Sequence, residues 1–287
     1  MISKKNISIG TANFGRIYGI SQKKLSINEI SKILKDCKKK KIKFIDTANN
    51  YGSAERILGR FDLSNFRVCS KIPKIPTKKK NIEKWIINKV EESLSKLKIK
   101  KFHGIYLHDE SDLLGKNKET IYSSLFNLKK KGYTKKIGIS IYDFNSLNKI
   151  LKRFKLDIVQ LPINLFDRRL LTKNTLSMIK RKKIEIYARS IFLQGILLYD
   201  KKKIDKKFLN KDKILFNLWH EWLKKNRKKQ LDVCLSFLKE IKEINNIIVG
   251  VNNVKQFRMI LNSLNKKTIY PKKIYTFNKK IIDIRQW

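Results

Sequence analysis

The sequence predicts an α/β protein closed as a single (β/α)8 barrel of the TIM type, and three observations predict it. Eight short apolar runs recur along the 287 residues. They alternate with longer segments whose apolar residues repeat every ~3.6 positions. No Gly/Ser/Pro-rich linker divides the chain, and no G-x-G-x-x-G follows an early run, which argues against an open dinucleotide-binding sheet. The runs are apolar throughout rather than alternating, as expected of parallel strands buried on both faces.

In order, the first strand is ISIG (7–10), and a helical stripe of Ile27, Ile30, Ile33 and Leu34 follows. KFIDT (43–47) and RVCSK (67–71) precede the stripe Ile82, Trp85, Ile86, Val90, Leu94, Leu97. HGIYLH (103–108) and KIGIS (136–140) come next, then a helix carrying Leu147, Ile150, Leu151 and Phe154. DIVQLP (157–162) and EIYARS (185–190) lead into a long lysine-rich connection, 191–213, of the kind that forms lids or tethers. Leu215, Leu218, Trp219, Trp222 and Leu223 form the strongest stripe, and its tryptophans are expected in the core. NIIVGV (246–251), a helix over 254–264 and an irregular tail, 265–287, complete one domain spanning 1–287.

The formal charge is +44, from 68 Lys+Arg against 24 Asp+Glu. Such a charge attracts polyanions. The lysines, however, fall in nearly every surface-type segment: 38–41, 78–80, 129–131, 201–203 and 224–229. Nucleic-acid binders concentrate charge on one face and interleave aromatics, so a solvated surface is expected here and no specific nucleic-acid site. Cys37, Cys69 and Cys234 are odd in number and lack metal-ligand spacing, which suits a reducing compartment and no metal site. MISKKNISIG lacks the apolar core of a signal peptide. SIFLQGILLY (190–199) falls short of the ~20 residues of a bilayer span. A cytoplasmic protein without membrane attachment is the expectation.

In a barrel, function gathers at the carboxyl ends of the strands. Those ends carry Asp46 with Tyr51 after it, then Lys71, His108, Ser140, Gln160, Arg189 and Ser190. A phenol is a poor acid at neutral pH, and a nearby lysine favours its phenolate and lowers its pKa. Asp46 is suited to hold the Lys71 ammonium, and His108 to donate a hydrogen bond to a carbonyl oxygen. Together they would stabilise an oxygen that gains charge as a hydride reaches carbon. Singly, each has a structural alternative: a turn cap for Asp46, a loop aromatic for Tyr51, one lysine among dozens, a buried strand-end histidine. Their placement on three consecutive strands favours the chemical reading.

The segments IGTANFGRIYGIS, FIDTANNYGSAE, SKIP, YLHDE, KIGIS, VQLPINLFDRR and IIVGVNNVKQF resemble, in order and over nearly the whole chain, those of the aldo-keto reductases. The resemblance implies an enzyme that reduces a carbonyl with NADPH or NADH, with a tetrad of Asp46, Tyr51, Lys71 and His108 and Tyr51 as proton donor. It further implies that Ser140 and Gln160, with Arg189 and Ser190, meet the nicotinamide. Gly250, Val251, Asn252 and Gln256 would face the adenosine end. The departures are specific. Ile141 stands where many members have Asn, and Arg189 where an aromatic often stacks. A guanidinium there stacks as a plane, but its charge disfavours an oxidised cofactor. Gly250 and Gln256 stand where NADP-preferring members grip the 2′-phosphate, with Lys255 and Arg258 as substitutes.

RSIFLQG and the closing Trp are similar to reductases found among carbohydrate-building enzymes, implying a small, sugar-like substrate. A basic mouth of Arg16, Arg168, Arg169 and Arg189 suits an anionic one. Two other classes remain open: a cofactor-sensing regulatory barrel without turnover, and a basic nucleic-acid binder with salt-steep affinity.

Overall fold

All eight runs form strands. The computed structural model describes residues 2–19, 24–171, 173–204 and 212–287. In it β1 (Ile7–Gly10), β2 (Phe44–Asp46), β3 (Arg67–Ile72), β4 (Phe102–Leu107), β5 (Thr134–Ser140), β6 (Ile158–Pro162), β7 (Glu185–Arg189) and β8 (Ile244–Val249) pair in sequence order and in parallel into a closed barrel. Closure leaves no unpaired edge. The register sets Gly10, Asp46 and Cys69 abreast, Lys71 opposite Tyr106, and Ser140 opposite Gln160.

Alternate strand residues point inward. Phe44, Cys69, Tyr106, Ile158, Tyr187 and Ile248 meet there as one cluster that plugs the barrel. Outward-facing residues such as Ile45, Val68, Ile105 and Val159 join the larger core beneath the helices. The helical layer includes Ile27–Lys39, Ile82–Leu97, Phe144–Arg153, Lys213–Asn226 and Val254–Ser263, each started by a capping side chain. Ser26, Asn81, Asp143, Asp212 and Asn253 each accept a backbone N–H of the first turn, satisfying donors a helix start leaves unpaired. Trp219 is fully buried, as its stripe predicts, whereas Trp222 is only half-buried against the core and Leu218 of the same stripe is exposed; the three cysteines are buried and free.

Among the longer helices, Lys118–Lys130, Lys173–Arg181 and Gln230–Lys239 escape the periodicity reading. The last is buried on every side from Val233 to Leu238, so no polar face marks a stripe. In Lys118–Lys130, Ser124 breaks the buried row of Ile121, Leu125 and Leu128. β8 begins two residues before its apolar run because its first polar residues are used: Asn246 accepts the buried Ser8 hydroxyl at 2.5 Å, and Asn245 accepts Ile186 N–H at 2.8 Å.

The connection after β7 contains two 3-10 segments, Leu193–Leu198 and Lys201–Lys203; its residues 205–211 lie outside the described residues. The C-terminal tail is not wholly irregular, since it holds a short helix, Lys279–Ile282, and a turn, Ile284–Gln286. Among the described residues no helix is long and apolar enough to cross a membrane.

Candidate active site

The polar residues at the barrel mouth are the continuation of the interior plug. Each stands two positions beyond an inward-facing residue of its own strand: Asp46 after Phe44, Lys71 after Cys69, His108 after Tyr106, Gln160 after Ile158, Arg189 after Tyr187, Gly250 after Ile248. A pleat repeats every two residues, so plug and site are successive layers on the same face. The chemistry rests on a closed apolar floor.

On that floor Lys71, 2% exposed, donates to Asp46 Oδ2 at 2.6 Å and to the Thr47 carbonyl at 2.9 Å. Gln160 Nε2 donates to the other Asp46 oxygen at 2.7 Å. Lys71 Nζ lies 5.0 Å from the centre of the Tyr51 ring, and the Tyr51 and His108 rings meet edge-on at 5.9 Å. The four residues Asp46, Tyr51, Lys71 and His108 are thus brought together.

Tyr51 is placed by close backbone packing. A Cβ on Gly15 would meet the Tyr51 carbonyl oxygen at 2.0 Å and Ala54 N at 2.2 Å. Gly52 has φ +60, a left-handed conformation that glycine adopts without penalty. Asn49 N–H donates to the Lys71 carbonyl at 3.2 Å, tying the turn to β3.

The electrostatics correct one expectation. Lys71 does not bring the Tyr51 phenol down. Burial pushes that pKa well up, the Asp46 carboxylate adds to it, and Arg189 and Arg16 only partly oppose. Burial outweighs the cations around the phenol, so Tyr51 holds its proton, while the ammonium donates to Asp46 and Thr47. Burial likewise lowers His108 to about 3, with Lys71, Arg189 and Arg16 adding to the effect. The imidazole is neutral, and its buried Nδ1 has no hydrogen-bond partner.

A cavity of about 680 Å³ runs from Tyr51 and His108 past Ser140, Gln160, Arg189 and Ser190 to Gly250, Asn252 and Gln256. Val251 is the exception among the expected lining residues: its side chain is buried, and its carbonyl accepts Asn13 Nδ2 at 2.7 Å. Gln160, expected to meet a ligand through its amide, spends its NH2 on Asp46. Arg189 lies flat on Tyr142, 3.8 Å from the ring centre, and donates to the Ile141 carbonyl at 2.7 Å. Arg285 from the tail also lies over the Tyr142 ring, 4.0 Å from its centre.

The expected basic mouth shrinks. Arg168 is drawn away into the tail, donating to the Leu165, Pro271 and Lys272 carbonyls among Phe237, Tyr270 and Tyr275. Arg169 is spent on Asp167 and the Tyr142 carbonyl. Arg258 pairs with Asp36 and, like Lys255, does not line the cavity. The lysines that line the cavity are Lys229 and Lys266, both missed in the sequence, and Lys266 is itself paired with Asp232 at 3.3 Å. Lying among so many surface lysines, they carry no local signal.

A closed parallel barrel with a layered polar cluster and a long cavity at its carboxyl mouth has the layout of a barrel enzyme. The aldo/keto reductase family model matches residues 6–282. The chain therefore belongs to the aldo/keto reductase family, a family of oxidoreductases acting on carbonyl compounds. Among solved structures it is similar to a protein of Pseudomonas aeruginosa assigned to the aldo-keto reductases, with TM-score 0.66 and 18% identity, covering 90% of this chain and 89% of that one. It is also similar to an aldo-keto reductase from Bacillus halodurans in its holo form, with TM-score 0.71 and 16% identity over 92% and 88% of the two chains. At these identities the likeness is one of fold. No curated protein sequence is significantly similar to the chain.

Proposed function

We propose that the protein reduces an aldehyde or ketone with NADPH or NADH, Tyr51 delivering the proton. The observation that carries this reading is the neutral Tyr51 beside the buried Lys71–Asp46 pair, with neutral His108 against its ring. A nicotinamide nucleotide fits the residues present. The cavity extends from Tyr51 to a part lined by Asn252, Gln256 and Lys229, with Lys266 paired to Asp232 at 3.3 Å, chemistry suited to a ribose, an adenine and a phosphate. Along it Asn13 presents a buried Oδ1 that has no hydrogen-bond partner, an acceptor left for a ligand. When bound, the nicotinamide supplies the hydride.

Everything else falls to the chain. His108, neutral near pH 7, donates to the substrate oxygen and orients it. Tyr51 gives its proton as charge gathers on that oxygen, with Lys71 fixed nearby to stabilise the phenolate left behind. Asp46 and Gln160 keep the ammonium in place. Arg16, 5.1 Å from the Tyr51 ring centre, and Arg189, which lines the cavity, place guanidinium charge near the phenol. They favour a substrate with an anionic or hydroxyl-rich group, such as a sugar derivative. Its KM is expected to rise with salt if the group is anionic, and a flat profile counts against that choice.

The test is a titration with NADPH and with NADH followed by tryptophan fluorescence, then turnover with a panel of aldehydes and ketones. Tyr51→Phe is expected to keep nucleotide affinity and to lose about 10²–10⁴ in kcat, since general-acid transfer is lost. Absence of nucleotide binding, or full turnover by the phenylalanine variant, would end this reading.

A further inference from the structure

Behind the Tyr51 turn lies a buried acid that the proposed chemistry does not use. Glu55 belongs to the short helix Ala54–Leu58 and is 2% exposed. Its Oε1 accepts the Ser70 hydroxyl at 2.6 Å and its Oε2 accepts the Ser93 hydroxyl at 2.9 Å. Ser93 Oγ in turn accepts Asn49 Nδ2 at 3.1 Å. Among the described residues no cation forms an ion pair with Glu55; the nearby Lys96 is bound to Glu92. Burial accordingly pushes the Glu55 carboxyl up, and the two hydroxyls only partly offset it.

A carboxyl placed in the layer between barrel and helices is expensive, and an apolar side chain there would be cheaper. Such groups persist where a fully hydrogen-bonded network specifies a geometry. This network joins particular points. Asn49 and Glu55 bracket Tyr51. Ser70 is the outward neighbour of inward Lys71 on β3. Ser93 lies on the helix Ile82–Leu97, packed outside both. The chain from Asn49 through Ser93 and Glu55 to Ser70 therefore ties both ends of the turn that carries the phenol to the strand that carries the ammonium. Gly15 packs against the backbone of the same turn.

We propose that Glu55 is a positioning residue for Tyr51: through Ser70 and Ser93 it sets the distance between the phenol and Lys71. This rests on the reductase reading above for its kinetic consequence, but not for its geometry. Misplacement of a reacting group by about 1 Å can cost up to ~10²-fold in rate.

The test measures kcat, KM, nucleotide affinity and Tm for Glu55→Leu, Glu55→Gln and Ser93→Ala. Glu55→Leu is expected to lose at least about tenfold in kcat, with KM and nucleotide affinity within about twofold. Glu55→Gln, which can still accept one hydroxyl and donate to the other, is expected to recover most of that loss. A leucine variant that loses only Tm, with kcat per folded molecule unchanged, overturns the proposal. If the leucine variant does not fold, Ser93→Ala decides: it breaks the links to both Asn49 and Glu55, and an unchanged kcat overturns the proposal. If the wild-type protein turns over no carbonyl compound, the reductase reading fails by itself. Crystal structures of wild type and the same variants then decide the positioning: a displaced Tyr51 ring relative to Lys71 Nζ supports it, and an undisplaced ring overturns it.

Discussion

Two lysine–aspartate pairs of nearly equal length stand in different regions of this barrel. Lys71–Asp46 spans 2.6 Å on the floor of the mouth, with side chains 1% and 5% exposed. Lys38–Asp62 spans 2.7 Å on the outside, with side chains 38% and 60% exposed. Geometry alone does not separate them. Water does: the outer pair is screened and free to rearrange, whereas each inner ion has exchanged its hydration for named partners. Lys38 stands for the lysine coat, and among the described residues Lys71 is the lysine that is buried.

The comparison is broken or sharpened most by Lys71→Met. It leaves Asp46 buried with Gln160 as its remaining side-chain partner, an uncompensated charge that destabilises by ~3–5 kcal/mol. Turnover should fall by orders of magnitude as well. Urea unfolding measures the first effect, and an unchanged midpoint would show that burial does not distinguish the two pairs.

A smaller effect concerns pH. Burial lowers His108 to about 3 and His103 to about 4, below the ordinary 6.5. The unfolded chain then binds more protons than the folded one below pH ~6.5, so stability falls as pH drops from there toward 4. Asp112 works in the opposite direction. Burial raises it to about 7, one of its oxygens lacks a partner, and the other accepts Ile75 N–H at 3.3 Å. Its folded pKa lies above the unfolded one, so its contribution is present at low pH and is lost as pH rises from ~4 through 7. Asp112→Asn keeps the Ile75 contact and removes that opposing slope. Stability should then climb more steeply between pH 4 and 7, read from urea midpoints; an unaltered slope would mean Asp112 titrates normally.

The smallest effect is expected outside the barrel. Lys38→Met and Lys39→Met should leave Tm and turnover unchanged within error. Loss of rate in Lys39→Met comparable to that in Lys71→Met would mean that the general positive field, not the buried pair, supports catalysis.

Much of this was legible in the chain. The eight apolar runs became eight strands because a closed parallel barrel buries both faces of each, and that requirement is written in composition. The layout of the candidate site was legible for a related reason: Asp46, Lys71, His108 and Gln160 are polar residues following apolar runs, and a two-residue pleat carries them inward one layer above the plug. The helix Gln230–Lys239 was not legible, since burial on all sides erases the pattern that burial on one side creates.

What the sequence by itself determined is therefore the order of strands and which residues share the inner face, both consequences of local periodicity. What tertiary structure alone decided is which charges meet. Arg168 and Arg169 sit beside one another in sequence yet leave the mouth for the tail and for Asp167, while Lys266 pairs across 34 positions with Asp232 in the cavity wall. Ion pairing and burial depend on distance in space and on loss of water, and neither is a property of a residue and its neighbours along the chain.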